Sequence, residues 1–219
     1  VRGALADAAR RGPAAPAAPA GAVGATGARA ADHPARDPGE ATVIAVGGGR
    51  GSPGRTTLAL NLAVALATRG PVALVDLDLD HPSLAALLDA DVARNLSALA
   101  HAEPASVREW DRALGHETQP LDPAVPHGVL ISGVGKPELR GAISGRFVEL
   151  LVAELRRRYR HVVLDVGVEV AGPDGLAHRT ALRLADRALL VAGADLLGLH
   201  AAHAALGAWR AHAGIADER

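Results

Sequence analysis

Val43-Ile44-Ala45-Val46-Gly47-Gly48-Gly49-Arg50-Gly51-Ser52-Pro53-Gly54-Arg55-Thr56-Thr57-Leu58-Ala59-Leu60-Asn61-Leu62-Ala63 decides the fold. A short aliphatic run reads as a buried strand, the glycine-rich stretch as a tight loop, and the apolar residues after it as an amphipathic helix. Gly49 to Thr56 follows the pattern G-x-x-x-x-G-K-[ST], with Arg55 where the pattern has Lys. Glycines let successive backbone N–H groups turn towards phosphate oxygens, and the helix start adds a favourable dipole. A Thr hydroxyl at the following position can ligate magnesium.

Outward from this loop, Val72–Val75, Val129–Ile131, Val162–Leu164 and Ala188–Val191 join Val43–Val46 as strand candidates. Near-continuous aliphatic runs of this kind belong to a parallel sheet covered by helices on both faces. Helices are predicted at Thr56–Thr68, with Leu58, Leu62, Ala65 and Leu66 on its apolar face, at Phe147–Arg158 and at Leu196–His212. Between Asp91 and Gln119 the pattern predicts short helices without legible chemistry. The predicted class is therefore α/β, a mostly parallel sheet flanked by helices, over residues 41–219. Residues 1–40 are rich in Ala, Pro and Gly and lack apolar periodicity, so a disordered linker is expected there.

Two further segments place acids at strand ends. The second strand runs into Asp76-Leu77-Asp78-Leu79-Asp80, and the fourth into Asp165-Val166-Gly167. Ligands of open α/β sheets bind at the carboxyl ends of strands, so carboxylates beside a phosphate loop suit magnesium and an attacking water.

Composition removes several alternatives. In 219 residues there is no Cys, which excludes disulfides, thiolate zinc sites and a cysteine nucleophile. Aromatics are 2% and net charge is -1, so neither base-stacking platforms nor a general attraction to nucleic acid is expected. Apolar runs such as Ala188–Ala194 stop at a charge, here Asp195, well short of a membrane span. With no signal-peptide pattern at the start, a soluble cytoplasmic protein is expected. The chain opens on Val1 and contains no Met, which favours reading it as part of a longer protein.

From Val43 to about His203 the chain resembles the MinD/ParA class of P-loop ATPases with a deviant Walker A. It looks most like the CpaE/TadZ branch found with Flp-type pilus assembly genes. Gly49–Thr57, Leu58–Ala63, Val75–Asp78, Tyr159–Asp165 and Ala185–Val191 carry the resemblance. It implies ATP and Mg²⁺ as ligands, held by Gly49, Arg50, Gly51, Ser52, Pro53, Gly54, Arg55, Thr56 and Thr57. Arg55 would hold the β- and γ-phosphates, and Thr56, Asp76 and Asp165 would serve the magnesium and its waters. Asp78 would orient the attacking water, and Arg50 would reach the partner's nucleotide in an ATP-dependent homodimer. A positioning or assembly role follows, with a protein partner from a pilus or partition machinery and membrane contact only through partners.

Both family lysines are arginine here, and Lys136 is the only lysine among 23 cationic residues. A guanidinium is larger and planar, so the alternative is a non-hydrolysing nucleotide-binding scaffold with a degenerate loop. The resemblance also implies an adenine-recognising strand and loop beyond Arg219, which would leave the domain incomplete at that end. His200 and His203 have metal-compatible helical spacing but no evident third ligand. Arg156-Arg157-Arg158 reads as a solvated helix C-terminus complementing the dipole. Tyr159 is the only tyrosine, which removes a capsule-type tyrosine kinase with a tyrosine-rich tail.

Overall fold

The structure, a computed structural model, describes residues 41–215; the linker expected at 1–40 lies outside the described residues. In chain order the elements are β1 (Thr42–Gly48), α1 (Arg55–Ala67), β2 (Val72–Leu77), α2 (Leu84–Leu88), α3 (Leu96–His101) and α4 (Val107–Glu117). There follow β3 (Gln119–Pro120), β4 (Gly128–Ile131), a 3₁₀ turn (Pro137–Ala142), α5 (Gly145–Arg158), β5 (His161–Val166) and α6 (Leu176–Leu184). β6 (Arg187–Val191), α7 (Leu196–Ala208) and a π turn (Trp209–Ala213) complete the described chain. The strands form one sheet in the order β3-β4-β2-β5-β1-β6, parallel except for the antiparallel β3–β4 pair.

All five expected strands are present, each longer by one to three residues at its ends. β3 has two residues, one of them proline, and is too short to leave an aliphatic signal. The expected last helix divides at Trp209, where i→i+5 bonding begins; Gly214 then turns the chain at φ 65°.

Alternation along the strands sends two sets of side chains to opposite faces. Val46, Leu74, Leu130 and Val163 pack under α1. Ala45, Val75, Ile131, Leu164 and Val166 pack on the other side with Trp110, Phe147, Leu151, Leu155 and Leu182 from α4, α5 and α6. Trp110 and Phe147 stack there with ring centroids 6.3 Å apart.

The face α1 buries is not the one its leucines suggest. Ala59, Leu60, Ala63, Val64 and Ala67 are buried, whereas Leu58 is 41% exposed and Ala65 is exposed. Three alanines at four-residue spacing let the helix backbone approach the sheet closely, and Leu62 and Leu66 fill its flanks.

The arginine run at the end of α5 is also more engaged than a solvated terminus. Arg156 donates to the carbonyls of Ala41 (2.8 Å) and Leu184 (2.9 Å) and pairs with Asp186, whose other role is to accept from Val43 N–H. Arg158 pairs with Asp111 and Glu154, and only Arg157 is largely exposed.

The register of α1 is open to a direct test by urea denaturation. Ala63→Leu is expected to lose about 1–3 kcal/mol by overpacking, whereas Leu58→Ala should stay within about 0.5 kcal/mol of the parent. The reverse order would return the helix to its leucine face.

Candidate functional site

Parallel pairing assembles the site before any side chain is considered. Val46 is opposite Asp165 across β1 and β5, and Asp165 is opposite Asp76 across β5 and β2. The carboxyl ends of three neighbouring strands therefore deliver the glycine loop, Asp165 and Asp76 to one edge. Asp165 follows Val163 and Asp76 follows Leu74 by two residues, which puts both carboxylates on the face covered by α1.

The loop between β1 and α1 has a packed back and an open front. Gly49 lies against α7, where a Cβ would stand 2.4 Å from the Ala201 carbonyl oxygen. Gly51 and Gly54 take φ 74° and 82°, with nothing within 4 Å of where a Cβ would point. These are left-handed conformations that glycine adopts without strain. Gly54 is the N-cap of α1, with no side-chain cap and no acid in the first turn. The positive end of the helix dipole is thus left for an outside anion. Arg50, Gly51, Pro53, Gly54 and Thr57 are exposed; Ser52, Arg55 and Thr56 are half-buried.

Arg55 turns inwards. Its guanidinium pairs through Nη2 with Asp78 and through Nε with Asp165 Oδ1 at 3.3 Å, with 11% of the side chain exposed. Asp78 also accepts from His81 N–H through Oδ1 at 3.1 Å. Asp165 is fully buried, and burial raises its carboxyl above the ordinary range against the opposing pull of the Thr56 hydroxyl and Arg55. Its Oδ2 has no hydrogen-bond partner.

Asp76 is occupied differently. Its Oδ1 accepts from Asp78 N–H at 3.2 Å, and its Oδ2 accepts from Ser83 and Leu84 N–H, both at 3.0 Å. This carboxylate fixes the segment that carries Asp78 into α2. Burial, with a smaller push from Asp165, raises it to about 7 despite those three bonds. Asp80 faces away from the loop and pairs with Arg140 at 2.7 Å, and Arg140 also reaches Asp174 at 3.2 Å.

The expected residues therefore converge in part. Arg55, Thr56, Asp78 and Asp165 meet at one place; Asp76 lies beside them, bonded to backbone; Arg50 stands outside on the exposed loop. Gly167, which the sequence marks at the strand end after Asp165, borders Asp78: a Cβ there would stand 3.1 Å from Asp78 Oδ1 and 2.6 Å from the ring of His178, a residue sequence reading passed over. Only the strand-end position of Gly167 marked it in the sequence; His178 had no signal.

Among the described residues no three His, Asp or Glu side chains form a ready metal cage. Magnesium at phosphate sites commonly takes one or two protein oxygens and completes its shell with phosphate and water. The orphan Oδ2 of Asp165 beside the Thr56 hydroxyl fits that requirement, whereas both oxygens of Asp76 are engaged.

No protein-family model and no curated protein matches this chain by sequence. Solved structures do match in fold. A ParA family ATPase from Chlorobium tepidum aligns with TM-score 0.59 and 18% identity, over 76% of this chain and 66% of that one. The septum site-determining protein MinD of Pyrococcus horikoshii, complexed with Mg-ADP, aligns with TM-score 0.59 and 21% identity, over 78% of this chain and 66% of that one. The kinase domain of VpsO aligns with TM-score 0.58 and 21% identity, over 78% and 79%. The chain thus spans about two thirds of the length of the first two. The fold is that of the ParA/MinD-type P-loop NTPases, a fold these neighbours put to different uses.

Because burial raises Asp76 from 3.8 to about 7, the native state holds this proton more tightly than the unfolded chain does. Its stabilising contribution is complete at low pH and is lost as pH climbs from about 4 to 7. Urea denaturation without added metal should therefore show the parent losing stability relative to Asp76→Asn across that window, by up to roughly 4 kcal/mol. A constant difference between the two proteins across the window would show that Asp76 does not titrate there.

Proposed function

We propose that this chain is a MinD/ParA-type ATP-binding protein of the CpaE/TadZ-like branch, acting through ATP-dependent dimerisation to position or assemble cellular machinery such as a pilus. The observation that carries the reading is Arg55. A cation at the start of α1, behind an uncapped glycine loop, is held by two buried carboxylates. Nucleotide phosphates at the loop would draw the guanidinium outward, using bidentate contacts for which its planar fork is suited.

In this reading the backbone of Gly49 to Thr57 cradles the phosphates, with Gly54 keeping the helix start open. Thr56 and Asp165 hold Mg²⁺, which would neutralise phosphate charge. Asp78, freed from Arg55, accepts a hydrogen bond from the attacking water. Asp76 acts through the backbone, by keeping Asp78 in place. Arg50 would meet the nucleotide of a second copy, a role its exposure on the loop supports. No described helix is long and apolar enough to cross a membrane. A cytoplasmic location, with membrane contact through partners, belongs to the same proposal.

Calorimetry should show Mg²⁺-dependent ATP binding that Gly54→Val weakens at least a hundredfold, since valine at φ 82° is strained and would deform the loop. Undiminished binding by that variant would overturn the phosphate site. Sedimentation should show a monomer-to-dimer shift with ATP that Arg50→Ala loses while keeping its affinity for ATP. Binding without turnover would assign the non-hydrolysing scaffold.

A further inference from the structure

The 3₁₀ turn Pro137–Ala142, the segment after β2 and the start of α6 line a cavity of about 410 Å³. That lies within the roughly 300–1,000 Å³ typical of ligand pockets, and is far more than a single water needs. Its buried lining is apolar: Leu79, Ile143 and Ala177 are 4%, 4% and 2% exposed. Its outer lining is acidic, with Asp80, Glu138 and Asp174 set against one guanidinium, that of Arg140. Arg140 donates to Asp80 Oδ1 at 2.7 Å and to Asp174 Oδ2 at 3.2 Å. The side chains of Asp80, Arg140 and Asp174 are 32%, 46% and 66% exposed, so these pairs are solvated and weak. Three carboxylates against one cation leave the rim with an acidic excess.

His178 lines the same cavity and is 1% exposed. Its Nδ1, 2.5 Å from the Glu169 carbonyl oxygen, donates to it. Nε2 is an acceptor in the neutral ring, and among the described residues it has no hydrogen-bond partner. Buried polar atoms left unpaired are rare and costly. Acceptors on this lining therefore outnumber donors. An anion would meet the acidic excess, and a purely apolar occupant would leave Nε2 unpaired. The complementary occupant is cationic, carries several N–H groups and has an apolar stem. An arginine side chain has all three, with five donors in a planar fork at the end of its methylenes. Lysine presents its donors at one point and serves separated acceptors less well.

We infer that this cavity is a docking site for a protein partner that inserts an arginine side chain, its guanidinium sharing Asp80, Glu138 and Asp174 with Arg140 and supplying an N–H to His178 Nε2. Leu176, 45% exposed on the same lining, offers apolar contact to the residues that flank the arginine. No residue of the phosphate loop takes part, so the inference stands apart from the nucleotide reading.

Titration with N-acetyl-arginine amide at low salt, followed by NMR, tests the site without any nucleotide. Saturable shifts are expected in the amides of residues 137–144 and 173–178 and at Nε2 of His178. N-acetyl-citrulline amide, which keeps the shape and lacks the charge, should produce none of them. Glu138 and Asp174 are exposed, so Glu138→Gln/Asp174→Asn leaves the core untouched. That double variant should bind the arginine probe about tenfold more weakly, and Arg140→Gln, which removes the competing cation, about threefold more tightly. No saturable shift in the parent, equal binding of the citrulline probe, or unchanged binding in either variant would overturn the inference. Self-association of the protein that the arginine probe disperses would assign the cavity to a second copy of the chain and overturn the separate partner.

Discussion

Three carboxylates end up buried at the ends of two neighbouring strands, and one guanidinium is within reach of them. Asp76, Asp78 and Asp165 are each less than 5% exposed. Like charges this close and this dry cannot all be carried without compensation. Each is accommodated in its own way: Asp76 by three backbone N–H groups and a raised affinity for its proton, Asp78 by Arg55 and His81 N–H, Asp165 by what Arg55 and Thr56 have left to give. The turn after β2, the approach of α1 and the inward pose of Arg55 all answer this one electrostatic demand.

It also bears on why an arginine stands in the loop. Arg55 reaches Asp165 with Nε and Asp78 with Nη2, so one side chain spans two carboxylates carried by different strands. A lysine offers a single nitrogen and meets such a pair only by sitting between them. The guanidinium is thus matched to these two partners, and a composition rich in arginine does not by itself account for that match. The match has a cost, because a well-paired buried cation must give up good contacts before it can pair with any other anion.

The layers of the fold were legible because they depend on patterns that alternate or repeat: aliphatic runs marked the parallel strands, and the strand-loop-helix order around Gly49–Thr57 marked the edge where the site lies. Details that depend on volume were not legible. The leucines of α1 suggested its buried face, yet its alanines set the approach to the sheet, because close packing rewards small residues that periodicity does not distinguish. The convergence of Arg55, Thr56, Asp78 and Asp165 could be read from the strand ends. The diversion of Asp76 to backbone N–H groups could not, since it depends on how Ser83 and Leu84 return over the strand. His178 lies on a helix far along the sequence, and only the absence of a side chain at Gly167 leaves room for its ring against that strand end.

The loop glycines show how one residue type meets two unrelated demands in one motif. Gly47, Gly48 and Gly49 have ordinary backbone angles but no room for a side chain: a Cβ would stand 2.6 Å from the Trp209 ring, 2.6 Å from Ser52 Oγ and 2.4 Å from the Ala201 carbonyl oxygen. Gly51 and Gly54 have room, but hold left-handed angles. The first group lets α7 and the π turn support the loop from behind; the second keeps its front concave. Trp209, one of the few aromatics in the chain, fills the space over Gly47 and fixes the end of β1. A loop held at the back and open at the front can keep its backbone N–H groups oriented before a ligand arrives, so less ordering remains to be done on binding. The aromatic-poor core thus spends one of its rings where rigidity serves the site most directly.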